Sequence, residues 1–216
     1  ATTEIYTLPY TTLFRSQKAK EEGVCMLDTV LLRIAKSAIV AELDSSYEFD
    51  KKRVVEQYDF LKKDAAAFVT LKYNKNLRGC IGSIIAHRTL YDDIVQNALS
   101  AAFNDPRFFA LKSSEFSNLT IEVSVLSSPE YLEYEDFDDL CDKVKPYEDG
   151  LILKYKGYHG TFLPQVWEQL PTPKEFLEHL SIKAGTNSLV YAKHPDIYRY
   201  RVDAIEEEFD KIALLP

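Results

Sequence analysis

The stretch "AAAFVTLKYNKNLRGCIGSI", residues 65–84, restricts the fold of this chain more than any other. Two runs rich in β-branched and aromatic side chains flank "YNKN", and that pattern predicts an antiparallel hairpin. The second run is unusual because Arg78, Gly79, Cys80 and Gly82 all fall inside it. Residues two apart on a strand share a face, roughly 7 Å from one another. Arg78 and Cys80 are therefore expected on one side, with Leu77, Gly79 and Ile81 on the other. A guanidinium at that range favours a thiolate, so Cys80 should react with a thiol probe faster than Cys25 or Cys141. The glycines leave room above the strand for a ligand or for a neighbouring backbone. An opposing reading is equally open: cysteine is among the most buried residue types and packs as a small hydrophobe.

Other segments fill in the architecture. In "VCMLDTVLLRIAKSAIVAEL", Leu27, Val30, Leu31, Ile34, Ala38 and Ala41 recur at helical spacing. "HRTLYDDIVQNALSAAF" returns to that period, with Thr89 as N-cap and Asp92 and Asp93 in the favourable first turn. Pro106 ends it at "NDPRF". "LTIEVSVLSS" alternates, Ile121, Val123 and Val125 facing one way and Thr120, Glu122 and Ser124 the other. "GLILKYKGYHGTFL" predicts a second hairpin turning at Gly157 to Gly160, followed by a short helix opened by Pro164. "TPKEFLEHLSIKAG" is a further helix stopping at Gly185, and "DIYRYRV" an edge strand. Helices and hairpins intermix without regular strand–helix alternation, so the class is α+β with mostly antiparallel sheet.

Several side chains are candidates for chemistry. Asp105 positions Arg107 towards an anionic ligand, or simply closes an Asx-type turn at the helix exit. His159, between two glycines at the expected turn, is placed to act as acid, base or ligand, although a turn histidine is commonly just solvated. Glu122 is a general base if its face lines the same cleft as Arg78, and needs no explanation if that face is solvent. Lys183 fits helix-dipole compensation ahead of Gly185. His87, His179 and His194 follow no metal-ligand spacing, so no metal site is expected. No nucleotide-binding glycine motif, GxSxG elbow or HExxH occurs.

Charge narrows the partners. The net charge is −8, and residues 130–142, "EYLEYEDFDDLCD", carry seven acids and no base. An acidic surface repels phosphate backbones, which argues against nucleic-acid binding. That segment is the nearest thing to a lobe boundary, expected near residues 128–150 of a single domain spanning 1–216. No apolar run reaches the length of a membrane span. No signal-peptide pattern opens the chain, and three widely spaced cysteines form no disulfide framework, so a cytoplasmic location is expected.

Five blocks in order, "LRGCIGS" (77–83), "AAFNDPRF" (101–108), "IEVSVLS" (121–127), "GTFLPQVWEQLP" (160–171) and "KAG" (183–185), resemble the AMMECR domain family. In bacteria and archaea that family includes the AmmeMemoRadiSam system protein A. The resemblance spans roughly residues 25–205. It implies a two-lobed α+β fold, with the Leu77–Gly82 motif beside a cleft between lobes. It also implies two partners, a radical S-adenosylmethionine protein and a Memo-type protein. It supplies neither a reaction nor a cofactor. His159, Gln165, Asp105, Arg107 and Glu122 match the other blocks without bringing a role.

Two functions follow as expectations. In one, the protein is an enzyme or enzyme component acting on a small molecule or a protein-bound group. Arg78, Cys80, His159 and Glu122 then supply catalysis, and Gly79, Gly82, Arg107 and Gln165 line the binding site. In the other, it is a non-catalytic adaptor, with Cys80 as filler and contact made by the aromatic residues at 191–200 or by the acidic segment.

Overall fold

The computed structural model describes residues 28–216; Cys25 and Leu27 fall outside them. Along the chain run α1 (Val30–Leu43), α2 (Lys51–Gln57), β1 (Ala66–Tyr73), β2 (Asn76–Gly82), α3 (Leu90–Leu99) and β3 (Leu119–Leu126). There follow β4 (Glu130–Tyr131), α4 (Phe137–Lys143), β5 (Gly150–Tyr155), β6 (Tyr158–Phe162), α5 (Pro173–Lys183), β7 (Asp196–Tyr200) and β8 (Val202–Glu208). The strands make two four-stranded sheets, ordered β2-β1-β3-β8 and β4-β7-β5-β6. This is an α+β fold with antiparallel pairing, as the sequence predicts.

The chain divides into two compact units. The first contains residues up to Val125 and the stretch from Asp203 to Pro216; the second is Leu126–Val202. The second unit is therefore inserted into the first, and β8 returns to complete the sheet that β1–β3 began.

In the first unit, the predicted hairpin forms. β1 and β2 are joined by Asn74 and Lys75, whose φ angles of 50° and 66° make the two-residue turn that matches strand twist. Val69, Leu71, Ile121, Val123 and Val125 turn inward against Leu31, Ile34 and Ile39 of α1 and Leu90, Ile94 and Ala98 of α3. Thr89 caps α3 by accepting the Asp92 N–H at 3.3 Å. A buried carboxylate, Asp93, fastens that helix to the hairpin. It accepts the Ala67 N–H at 2.7 Å, the Ser83 hydroxyl at 2.8 Å and Arg88 Nε at 2.7 Å. Asp93 is fully buried, so the bonds that compensate its charge also tie α3 to both strands of the hairpin.

The second unit has its own core. Trp167, fully buried, stacks on Phe176 with ring centroids 3.8 Å apart, and its indole N–H donates to the Asp149 carbonyl at 2.7 Å. Two sequence expectations need correction here. The second hairpin turns at Lys156 and Gly157, with φ of 44° and 87°, so His159 sits on β6 and not in the turn. β7 lies inside its sheet between β4 and β5, and is not an edge strand. Tyr191 and Tyr200 are core residues, 2% exposed, and their hydroxyls donate to the carbonyls of Leu177 and Phe162. Within the stretch 191–200, Tyr191 and Tyr200 face the core, whereas Tyr198 is half-buried and Lys193 and His194 are exposed.

Candidate functional site

β2 is an edge strand, and a bulge interrupts it. Leu71 pairs with Gly79 and Lys72 with Leu77, which leaves Arg78 as the extra residue. A bulge breaks the two-residue alternation and re-aims the side chain at that position. Arg78 accordingly goes to Glu115. Its Nε and Nη2 approach the two carboxylate oxygens at 2.8 and 3.2 Å, and the guanidinium lies 5.8 Å from the Phe108 ring. The remaining nitrogen, Nη1, is buried without a hydrogen-bond partner among the described residues. The expected Arg78–Cys80 pair is therefore not formed, because Glu115 takes the guanidinium.

Cys80 keeps strand geometry and pairs across to Thr70, whose hydroxyl donates to Sγ at 3.3 Å. Burial pushes the thiol above its ordinary range; the Thr70 hydrogen bond and the Arg107 charge pull it down, while Glu122 and Asp105 push it further up. This corrects the expectation of a lowered thiol pKa, since desolvation outweighs the Thr70 hydrogen bond and the Arg107 charge. Cys141 is pushed up as well, by burial and by flanking Asp138 and Asp142.

The space over the glycines is filled by protein. The last turn of α3 widens into a π-helical turn, Ser100–Asn104, and brings the Ala101 carbonyl onto Gly79. A Cβ at residue 79 would lie 2.1 Å from that oxygen. At Gly82 it would meet the Phe68 ring at 2.2 Å. Of the two uses foreseen for these glycines, close approach of a neighbouring backbone is the one realised at Gly79.

Past the π turn, "NDPRF" folds back along the open edge of β2. Asp105 Oδ2 accepts the Cys80 N–H at 2.9 Å, and Arg107 Nη2 donates to the Cys80 carbonyl at 3.1 Å. The two side chains also pair with each other, through Nε at 2.9 Å and Nη2 at 2.7 Å, and Asp105 Oδ1 closes the Asx turn by accepting the Arg107 N–H. Burial raises the Asp105 carboxyl, but Arg107 and the Cys80 N–H outweigh it and hold the pKa below its ordinary value. Arg107 is directed at the main chain of Cys80 and at Asp105, where the sequence pointed towards an anionic ligand.

Glu122 lies on the polar side of β3, 8% exposed, and accepts from Lys72 Nζ at 2.8 Å and from the Ser124 hydroxyl at 3.2 Å. Lys72 also bonds Glu206 of β8, so one ammonium bridges two carboxylates on neighbouring strands. Burial raises the Glu122 pKa against the pull of Lys72, and Glu206 adds to the rise. Burial works against the Lys72 ammonium, yet its bonds to Glu122 and Glu206 raise its pKa overall. Thr70 and Lys72 are two apart on β1, so Cys80, Thr70, Lys72 and Glu122 share one face of the sheet. The first-unit site thus gathers Cys80, Glu122, Asp105 and Arg107 from the sequence candidates, and adds Thr70, Lys72, Glu115 and Glu206. The sequence reading missed all four: alternation in "FVTLKY" is a signal that could have found Thr70 and Lys72, whereas Glu115 has none.

The remaining candidates belong to the second unit. His159 is exposed on β6 opposite Lys154. Gln165 sits in the 3-10 turn Pro164–Glu168, and its Oε1 is buried without a hydrogen-bond partner among the described residues. The Lys183 ammonium stands over the Phe162 ring at 4.9 Å. Among the described residues no three His, Cys, Asp or Glu side chains gather as a metal-binding group, and no helix is long and apolar enough to cross a membrane.

Comparison with known proteins places this geometry among relatives. The AMMECR1 family profile matches residues 32–205. Protein MJ0810 of Methanocaldococcus jannaschii is 34% identical over 196 residues, covering 87% of this chain and 90% of the relative. Protein SSO0193 of Saccharolobus solfataricus is 38% identical, covering 80% and 76%. The crystal structure of an uncharacterised protein of Pyrococcus horikoshii, PH0010, superposes with a TM-score of 0.69 at 32% identity, covering 83% of this chain and 91% of that one.

Proposed function

The chain belongs to the AMMECR1 family, and from that premise we propose that it is a thiol-dependent enzyme component with its working face on the β2-β1-β3 sheet. The observation that carries this reading is the Glu122–Lys72–Glu206 network beside Thr70 and Cys80. Buried ionic groups cost more than the apolar packing that would stabilise a purely structural sheet face. Here they stand next to the one thiol of the Leu77–Gly82 motif. With its pKa raised, that thiol rests protonated at neutral pH, so it becomes a nucleophile only when a base takes its proton. Glu122, whose pKa burial raises above the ordinary carboxylate value, lies on the same face and is the group suited to that role. The thiol proton passes to the carboxylate as sulfur adds to a carbonyl carbon of a small molecule or protein-bound group; the C=O π pair moves to the oxygen, which then takes that proton from Glu122. The partners are those the family resemblance implies, a radical S-adenosylmethionine protein and a Memo-type protein. Free Cys80 and Cys141 thiols fit a reducing cytoplasm.

A reconstituted three-component reaction tests the proposal. Cys80→Ser and Glu122→Gln should each abolish turnover while the thermal transition of Cys80→Ser stays near the parent; full activity in both variants would end it. One observation favours the adaptor reading instead: Leu189, Ile182 and Tyr158 of the second unit are 73%, 62% and 50% exposed. Intact partner capture by Cys80→Ala, lost on replacing those three, supports that alternative.

A further inference from the structure

We propose that Asp105 and Arg107 are positioning residues for Cys80: as a pair they stand in for a missing strand on the edge of β2, fix both main-chain groups of Cys80, and keep a cation in range of its thiol. This rests on the reading of Cys80 as the working thiol.

Three observations lead there. The N–H and C=O of one strand residue point to the same side, so at an edge strand both of the outward pair at Cys80 lack a ladder partner. Asp105 accepts from the first at 2.9 Å and Arg107 donates to the second at 3.1 Å, a complementary two-point match to a single residue. An edge needs no such match merely to be blunted, because a lone charge or proline does that. Second, the motif residue expected to supply a cation beside the thiol does not do so, since Glu115 binds Arg78 in a bidentate pair. Third, the charged groups acting on the thiol are Arg107 from the loop after α3, Glu122 from β3 and Asp105 itself. Two of these are acids. Arg107 is their counterweight, and the clamp that fixes the Cys80 backbone also fixes the distance of that counterweight. Pro106 between the pair sets the turn that lets both side chains reach one residue.

The experiment reads the thiol and not turnover, so failure of the clamp and failure of the proposed function are distinguishable. In the full chain carrying Cys25→Ser and Cys141→Ser, the rate of iodoacetamide alkylation at Cys80 is followed from pH 6 to pH 11. Arg107→Met should move the inflection upward and slow labelling below it about threefold to tenfold, as expected for a shift of half a unit to one unit. Arg107→Lys, which keeps the charge but not the planar fork, should restore the inflection towards the parent. Asp105→Asn should alter the inflection because it releases both Arg107 and the Cys80 N–H. An unshifted inflection in Arg107→Met overturns the proposal, as does uniformly faster labelling at every pH, which is simple opening of the edge. Where circular dichroism shows Arg107→Met unfolded, Asp105→Asn decides, and an unshifted inflection in that variant overturns the proposal.

Discussion

Replacing Gly79 with alanine tests the packing beneath the motif. The new methyl carbon would sit 2.1 Å from the Ala101 carbonyl oxygen and 3.0 Å from its carbon. The contact with the oxygen is roughly 1 Å or more inside van der Waals distance, and the opposing atoms are backbone, so no rotamer change relieves it. Either β2 or the π-helical turn must move. Overpacking of this kind costs about 1–3 kcal/mol, and contact with rigid main chain places this site near 3 kcal/mol. Loss of glycine's freedom in the unfolded chain offsets about 0.5–1 kcal/mol. A net loss of about 2 kcal/mol remains, or a fall in Tm of roughly 4–8 °C for a chain of this size. Urea unfolding followed by far-UV circular dichroism measures it. The single tryptophan, Trp167, belongs to the second unit and is not the reporter for this change. Unfolding free energy within about 0.5 kcal/mol of the parent would refute the argument, since a real clash at 2.1 Å cannot be neutral.

Lys72→Met should destabilise the first unit by about 3 kcal/mol at pH 8, because it leaves Glu122 buried beside Glu206 without its cation. Glu122 has a raised folded pKa, so the native state holds its proton more tightly than the unfolded chain and stability rises as pH falls through that window. The deficit of Lys72→Met should therefore shrink between pH 8 and pH 5, and a pH-independent deficit in urea unfolding would contradict the assignment. Asp105 has a depressed pKa, so its contribution is present above the unfolded value of 3.8 and lost as pH falls through the folded one. Asp105→Asn should cost about 1–3 kcal/mol at pH 7 and flatten the acid limb of the stability curve. His159→Ala should change stability by less than about 0.5 kcal/mol, given its exposure, so any loss of turnover in that variant reports on chemistry.

Much of the fold was legible because its signals are local. "YNKN" between two β-rich runs, Thr89 ahead of Asp92, and Thr172-Pro173 opening α5 each act through neighbours in the chain, and each element formed as read. The alternation of Ile121, Val123 and Val125 likewise named the core face of β3. The site was harder, because its partners meet from afar. Arg78 finds Glu115 and Cys80 finds Asp105, and nothing around either residue announces the other. The bulge at Arg78 is a property of pairing with β1, so strict alternation misassigned its face. Gly160 beside His159 reads in the sequence as a turn residue. That glycine instead serves packing, since a Cβ there would lie 2.8 Å from the Ala184 nitrogen.

The insertion of residues 126–202 into the first unit has a consequence for synthesis on the ribosome. When Val125 emerges, β1, β2 and β3 are available, but the strand that covers the outer edge of β3 is not yet made. At about 5–20 residues per second, the intervening stretch takes roughly 4–15 s to appear. Throughout that interval the apolar "LTIEVSVL" edge is open to any other nascent strand. β8, which closes it, reads "VDAIEEE" and carries the Glu206 that bonds Lys72. The last strand to arrive is thus the gatekeeper of the sheet, and truncations before residue 203 should aggregate during expression where the full chain stays dispersed.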